Sequence, residues 1–269
     1  MKTFFTIIIS AILFSSCNTH IAKKSLNDES IENIGLDHLI HKKELKIYAK
    51  FDTPLNYSRQ KNLSGFASWL NNISLKNDNV PVYMYNGQKK ANPNIYVGVL
   101  DLEQPTKNVQ FNENGVISLR AEYFFQTKNY DKLDALAKIP TNPIPYTKYI
   151  NGDYSYKKYK EYLTYYLENS NPSTIKHLLE AIPFKDLQIG DVLFQKGATK
   201  SHAVIVMDVA TDNKGNKIYI LAQTYYPSQD IQIITNPSND YISPWNEATE
   251  GVALTPEWRF LSSDLMRFK

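Results

Sequence analysis

Cysteine is almost missing from this chain: Cys17 is the only one in 269 residues. One thiol cannot close an internal disulfide or build a cysteine-ligated metal site, and it leaves the rest of the chain without a thiol nucleophile. Long apolar runs are missing as well. The N-terminal run, Phe4 to Phe14, spans roughly eleven residues, whereas a membrane-crossing helix needs about 20. Charge of one sign does not dominate: 30 Lys and Arg face 27 Asp and Glu, for a net charge of +3. The charges are interspersed and form no basic block, so nucleic acid is not an expected partner. No glycine-rich phosphate loop and no His-Glu-x-x-His pair occurs, so neither a cofactor nor a catalytic metal is expected.

What is present begins with a short basic start, Met1-Lys2-Thr3, followed by the apolar run. Its length fits the core of a secretory signal. Ser15, Ser16 and Cys17 follow, and this ending resembles a bacterial lipobox, with Phe14 where leucine is usual. The resemblance implies cleavage before Cys17 and a lipid on its thiol. Residues 1–16 are then a signal peptide, 17–44 a polar tether, and 45–269 a single domain. His20, His38 and His41, in or beside the tether, lack the spacing of a metal pair and are expected in solvent. With 42% hydrophobic residues, a domain of this size can form a real core.

Leu45 to Ala49 reads as a strand. Gly65 to Ile73 reads as a helix with Ser64 as N-cap. Val80–Tyr85 and Ile95–Leu100 read as strands that can pair as a hairpin, with Asn86-Gly87 as a turn. Val116–Gln126 is a predicted helix, capped by Asn112 or Asn114. Tyr154–Glu168 repeats tyrosine at helical spacing (Tyr156, Tyr159, Tyr162, Tyr166), with lysines on the other face. A further helix is predicted from Asn171 and Pro172 through Ile182. Strands then follow: Val192–Gln195, His202–Ala210, Ile218–Thr224 and Ile231–Ile234. Helices first and an antiparallel meander afterwards predict the α+β class.

The chemistry-bearing stretch is GDVLFQKGATKSHAVIVMDVA, followed by YILAQT. His202 opens a strand. If the hairpin loop is even-numbered, Gln223 shares its face and can fix the tautomer of the imidazole. Asp208 is expected on that face too, but too far along the strand to reach the ring. His202 serves here either as a structural histidine or as a general base. Asp191, Ser201 and Tyr225 are candidate binding residues; Asp191 also reads as a turn residue whose carboxylate caps local N–H groups.

The Gly190-Asp191-Val192 and His202-Ala-Val-Ile-Val segments resemble the corresponding region of NlpC/P60-type, papain-like cell-wall peptidases. The resemblance implies that His202 is the base, that Gln223 orients it, and that a helix N-terminus carries a cysteine nucleophile. A broader resemblance links GFASWLNNISLKNDNVPVYMYNG, GVISLRAEYFF, IGDVLFQKG, HAVIVMDVA, ILAQTYYPSQDIQI, SPW and TPEWRF to a bacterial lipoprotein family, domain of unknown function 4846. In both comparisons the nucleophile is missing, because Asn112 stands where relatives carry cysteine. Ser118 is the alternative nucleophile, or else a serine facing a neighbouring element.

The expected protein is therefore an envelope lipoprotein, anchored by lipid at Cys17 and facing the periplasm, with a degenerate papain-like core. Its expected partners are the membrane, through the lipid, and a peptidoglycan fragment, peptide or envelope protein in the old cleft. The alternatives are an active cell-wall peptidase or amidase using His202, and a structural lipoprotein without a cleft ligand.

Overall fold

The computed structural model describes residues 38–197 and 199–269. Cys17, the Phe4–Phe14 run and most of the expected tether lie outside the described residues. The class is α+β. Seven helices occur among the described residues: α1 (Ile47–Lys50), α2 (Gly65–Asn71), α3 (Asn114–Gln126), α4 (Tyr130–Leu136), α5 (Tyr146–Ile150), α6 (Tyr156–Glu168) and α7 (Pro172–Leu178). None of them is long and apolar enough to cross a membrane.

The strands are β1 (Ser58–Arg59), β2 (Tyr96–Val99), β3 (Leu179–Ala181), β4 (Val192–Lys196), β5 (Ser201–Thr211), β6 (Lys217–Gln223), β7 (Gln232–Ile234), β8 (Trp245–Glu247), β9 (Val252–Leu254), β10 (Arg259–Leu261) and β11 (Leu265–Phe268). The main antiparallel sheet runs β2-β7-β6-β5-β4-β11-β3, with β1 on the end of β5 and β8 on β6. β9 and β10 form a separate hairpin. The predicted meander β4 to β7 is the centre of this sheet, and strands from distant parts of the chain extend both edges.

The sheet has two buried faces, which is why β5 and β6 read as nearly continuous apolar runs. Phe194, Ala203, Ile205, Ile220 and Ala222 pack in the larger core with Ile117, Tyr159, Tyr162 and Tyr166. The tyrosine stripe of α6 is therefore a packing surface. Leu193, Val204, Val206 and Leu221 pack on the other side, in a smaller core with Phe184 and Phe260.

A one-residue irregularity decides which side chains meet. The β5–β6 turn leaves five residues, Asp212–Asn216, between the pair Thr211 and Lys217. Continued without interruption, that odd loop would place Gln223 opposite Ile205, on the face away from His202. A bulge between Val206 and Asp208 shifts the register, so that Ile205 faces Ala222. Gln223 thereby comes onto the face of His202. The same bulge carries Asp208 to the helix-covered face, a correction to the expectation that it shares a face with His202. There its carboxylate accepts from Arg59 Nε at 2.6 Å.

Four local expectations are corrected, each by a contact distant in sequence. Residues 47–50 form a helical turn that buries both Ile47 and Lys50, the latter paired with Asp78. Val80–Tyr85 does not pair with β2; Met84 bridges to Gln229 and β2 pairs with β7. α7 stops at Leu178 because residues 179–181 pair with β11. The folded part starts before Leu45, since Leu39 is buried and Ile40 bridges to Phe51.

Candidate functional site

Two adjacent residues at the start of β5 point to opposite faces, and each meets a separate partner. Ser201 faces the N-terminus of α3. The residue before that helix is Glu113, whose carboxylate Oε2 accepts from Ser201 Oγ at 2.9 Å. Glu113 is buried, and burial raises its carboxyl pKa above the ordinary value. Neither asparagine caps the helix: the N-cap position is Glu113, with no side-chain cap bond, and Asn114 instead donates to Val109 O at 2.7 Å. Asn112 takes a left-handed backbone conformation, φ +49°, just before the helix.

His202 points the other way, into a shell of aromatic rings. Tyr225, Trp258 and Phe260 lie at centroid distances of 5.1, 5.3 and 5.9 Å. The expected contact with Gln223 is present, with His202 Nε2 2.9 Å from Gln223 Oε1. The amide of Gln223 then donates to Glu257 Oε2 at 2.6 Å. Glu257 is paired with Lys90 at 2.9 Å, and Lys90 also donates to Gln229 Oε1 at 3.0 Å.

This chain of bonds assigns the tautomer. The Gln223 NH₂ faces a carboxylate, so its oxygen must face the imidazole, and an oxygen requires a donor. His202 Nε2 therefore carries the proton. Nδ1 keeps a bare lone pair, buried and without a partner. Burial, with the positive charge of Lys90 adding to it, lowers the imidazole pKa to about 4 against the opposing effect of the Gln223 bond. His202 is accordingly a neutral base at neutral pH.

Next to this pair lies a cleft of about 470 Å³. Its polar floor includes Asn112, Glu113 and Ser201; its aromatic walls include Phe111, Tyr225 and Trp258. His202 and Gln223 do not line it. The two residues converge, but Tyr225 and Trp258 stand between the imidazole and the open space. Among the described residues no group of three His, Cys, Asp or Glu is placed to hold a metal ion.

The other expected residues divide clearly. Ser201 and Tyr225 line the cleft, as does Asn112. Asp191 does not: it is fully buried, held in two-pronged fashion by Arg267 Nε at 2.7 Å and Nη2 at 2.9 Å, and accepts from Gln188 N. Its place is structural, joining β4 to β11. Ser118 is buried in α3 and donates to Asn114 O one turn back, at 2.9 Å, so its hydroxyl is committed to the helix. Sequence reasoning did not single out Glu113, Glu257, Lys90 or Trp258. No local pattern marks them, because their partners lie tens of residues away or more.

One family's sequence model, described as Domain of unknown function (4846), matches residues 47–153 and 135–267. No curated protein and no solved structure matches the chain.

Proposed function

The chain belongs to this family of domains of unknown function, and from that premise we propose that it is an envelope lipoprotein, lipid-anchored at Cys17 and facing the periplasm. Its domain has a papain-like core without a nucleophile, and the cleft at the start of α3 holds a peptide or peptidoglycan fragment. The observation that carries the reading is the His202–Gln223 pair. A side-chain amide oxygen holds Nε2–H and leaves Nδ1 bare, the arrangement a thiol-activating histidine needs. The start of α3, reached from the other face of β5 through Ser201, carries Asn112, whose amide nitrogen lone pair is delocalised and does not attack carbonyls. What remains is a cleft with hydrogen-bonding groups below and aromatic rings on the sides, suited to a short polar chain with apolar faces.

Binding is tested by titrating purified protein with soluble peptidoglycan fragments in a calorimeter. Saturable binding without release of peptide is expected, and Tyr225→Ala should weaken it about tenfold by removing an aromatic wall. No binding, or binding indifferent to Tyr225→Ala, rejects the cleft as the site and favours a purely structural lipoprotein. Peptide release that His202→Ala abolishes assigns hydrolysis instead.

The papain-like alignment has its own test. Asn112→Cys, made together with Cys17→Ala, restores a thiol at the helix start. A helix N-terminus lowers a thiol pKa, and so does an imidazole that reaches the sulfur, which here requires Tyr225 and Trp258 to move aside. Alkylation by iodoacetamide at pH 6.5 should then run about tenfold faster than for free cysteine, since a drop of roughly two pKa units gives more thiolate but a weaker nucleophile. His202→Ala should remove that advantage. A rate equal to free cysteine, with or without His202, shows that residue 112 is not the nucleophile position.

A further inference from the structure

A second cavity, further along α3, has a different chemistry. It measures about 250 Å³ and is lined by Arg120, Lys132, Lys138, His177 and Lys269, with Phe124, Leu136 and Phe268 among its apolar residues. No acidic side chain lines it.

Arg120 is the unusual member. Its guanidinium lies over the rings of Phe66, Phe124 and Phe268 at 4.6, 4.7 and 4.9 Å, with Tyr123 at 5.9 Å. These rings hold the cation in place but accept none of its five N–H groups in the plane of the fork. The other arginines of the described domain that bind the sheet, Arg59 and Arg267, each hold a carboxylate within 3 Å. Among the described residues Arg120 makes no ion pair and no hydrogen bond, although it is largely withdrawn from water. A desolvated cation is costly without an anion. Among the described residues the lysines nearby form no ion pair either, and Lys269 Nζ donates to the His177 carbonyl at 2.7 Å.

We propose that this cavity binds a phosphate group, with the Arg120 fork as the bidentate contact and Lys132 and Lys138 supplying further charge. A planar guanidinium held among aromatic rings can offer its N–H edge to such an anion with little rotamer entropy left to lose. The volume exceeds that of a bare phosphate, and the walls of Phe124, Leu136 and Phe268 suit a short apolar substituent. The phosphate belongs either to a free small molecule or to an anionic lipid headgroup; the chemistry at Arg120 is the same. This site is separate from the cleft at Asn112 and does not depend on the reading of that cleft.

The test uses the full chain in a neutral detergent, at constant ionic strength, with chloride as the control anion. Calorimetric titrations are run with inorganic phosphate and with dihexanoyl phosphatidate. Saturable binding with a Kd of about 1 mM or tighter is expected for at least one of them. The double variant Lys132→Gln with Lys138→Gln should weaken it about tenfold. Arg120→Lys, which keeps the cation over the rings but removes the fork, should weaken it as strongly, and thermal melts will show that the variant is folded. Phosphatidate at least about tenfold tighter than phosphate assigns the lipid source; equal affinities assign a free phosphate. No saturable binding of either probe up to about 10 mM, or binding that all three substitutions leave unchanged, overturns the proposal.

Discussion

Gly115→Ala is expected to lose about 2 kcal/mol of folding stability, although alanine is the better helix former by about 1 kcal/mol. Gly115 lies in the first turn of α3 and is buried. A Cβ built on it would overlap Thr224 Cγ2 and stand 3.2 Å from Thr224 Cβ. Thr224 cannot swing aside, because its hydroxyl is bonded to the carbonyls of Gln110 at 2.9 Å and Gln229 at 3.0 Å. The helix must therefore back away from the end of β6, and overpacking of this kind costs typically 1–3 kcal/mol or somewhat more. Urea unfolding measures the loss. Thr224→Ser deletes only the offending methyl group and keeps the hydroxyl, so adding it to Gly115→Ala should recover most of the stability. A neutral or stabilising single substitution would show that α3 does not press on β6 at this point. The contact matters for the cleft too, since it brings Asn112 and Glu113 beside Tyr225.

The second large effect is a loss of stability in mild acid, traceable to one side chain. His202 has a folded pKa of about 4, against an ordinary value near 6.5. Between those values the unfolded chain takes up a proton that the folded chain refuses. The stability contributed by the neutral imidazole is therefore complete above about pH 6.5, falls as the pH drops, and is gone by about pH 4, where the curve levels. The difference of roughly 2.5 pKa units corresponds to about 3 kcal/mol. Burial also raises the carboxyl pKa of Glu113 and Asp208, and such acids contribute in the opposite direction, favouring the folded state as they protonate. The comparison must therefore be made against His202→Gln, which leaves those acids, and Lys90 and Glu257 beside the ring, in place. Wild type should lose about 3 kcal/mol relative to the variant between pH 7 and pH 4, measured by urea unfolding at each pH. Parallel curves would mean that the imidazole is not held neutral in the core.

Much of this architecture is legible in the sequence because its causes are local. Tyr159, Tyr162 and Tyr166 stand at helical spacing, face one side of α6 and are buried there, while Tyr156 at its start stays exposed. The apolar runs from 192 to 223 become the central strands of the sheet. The pairing of His202 with Gln223 is also readable, although for an incomplete reason. It was expected from an even-numbered loop, whereas the loop has five residues and the bulge after Val206 restores the register. A bulge is a tertiary decision: no residue type in Val206-Met207-Asp208 demands it, and its consequence is that Asp208 reaches Arg59 on the opposite face. The failed expectations share this cause. Segments 45–49, 80–85 and 179–182 carry weak local preferences, and partners more than ten residues away decided what they became.

By itself, the sequence determined that the domain after Cys17 has no thiol, that helices precede a meander, and that an imidazole and an amide lie on two consecutive strands. These follow from composition and from the periods of helix and strand, which need no knowledge of the fold. Only the tertiary structure decided what surrounds that pair. Trp258, Phe260, Glu257 and Lys90 come from distant parts of the chain, and they turn His202 into a buried neutral base behind an aromatic wall rather than a group open to the cleft. The same holds for Arg120, an ordinary helical arginine in sequence. Its place among four rings, beside lysines that form no ion pair among the described residues, exists only once α2, α3, α4, α7 and β11 pack together, because charge and solvation are properties of what surrounds a residue in space.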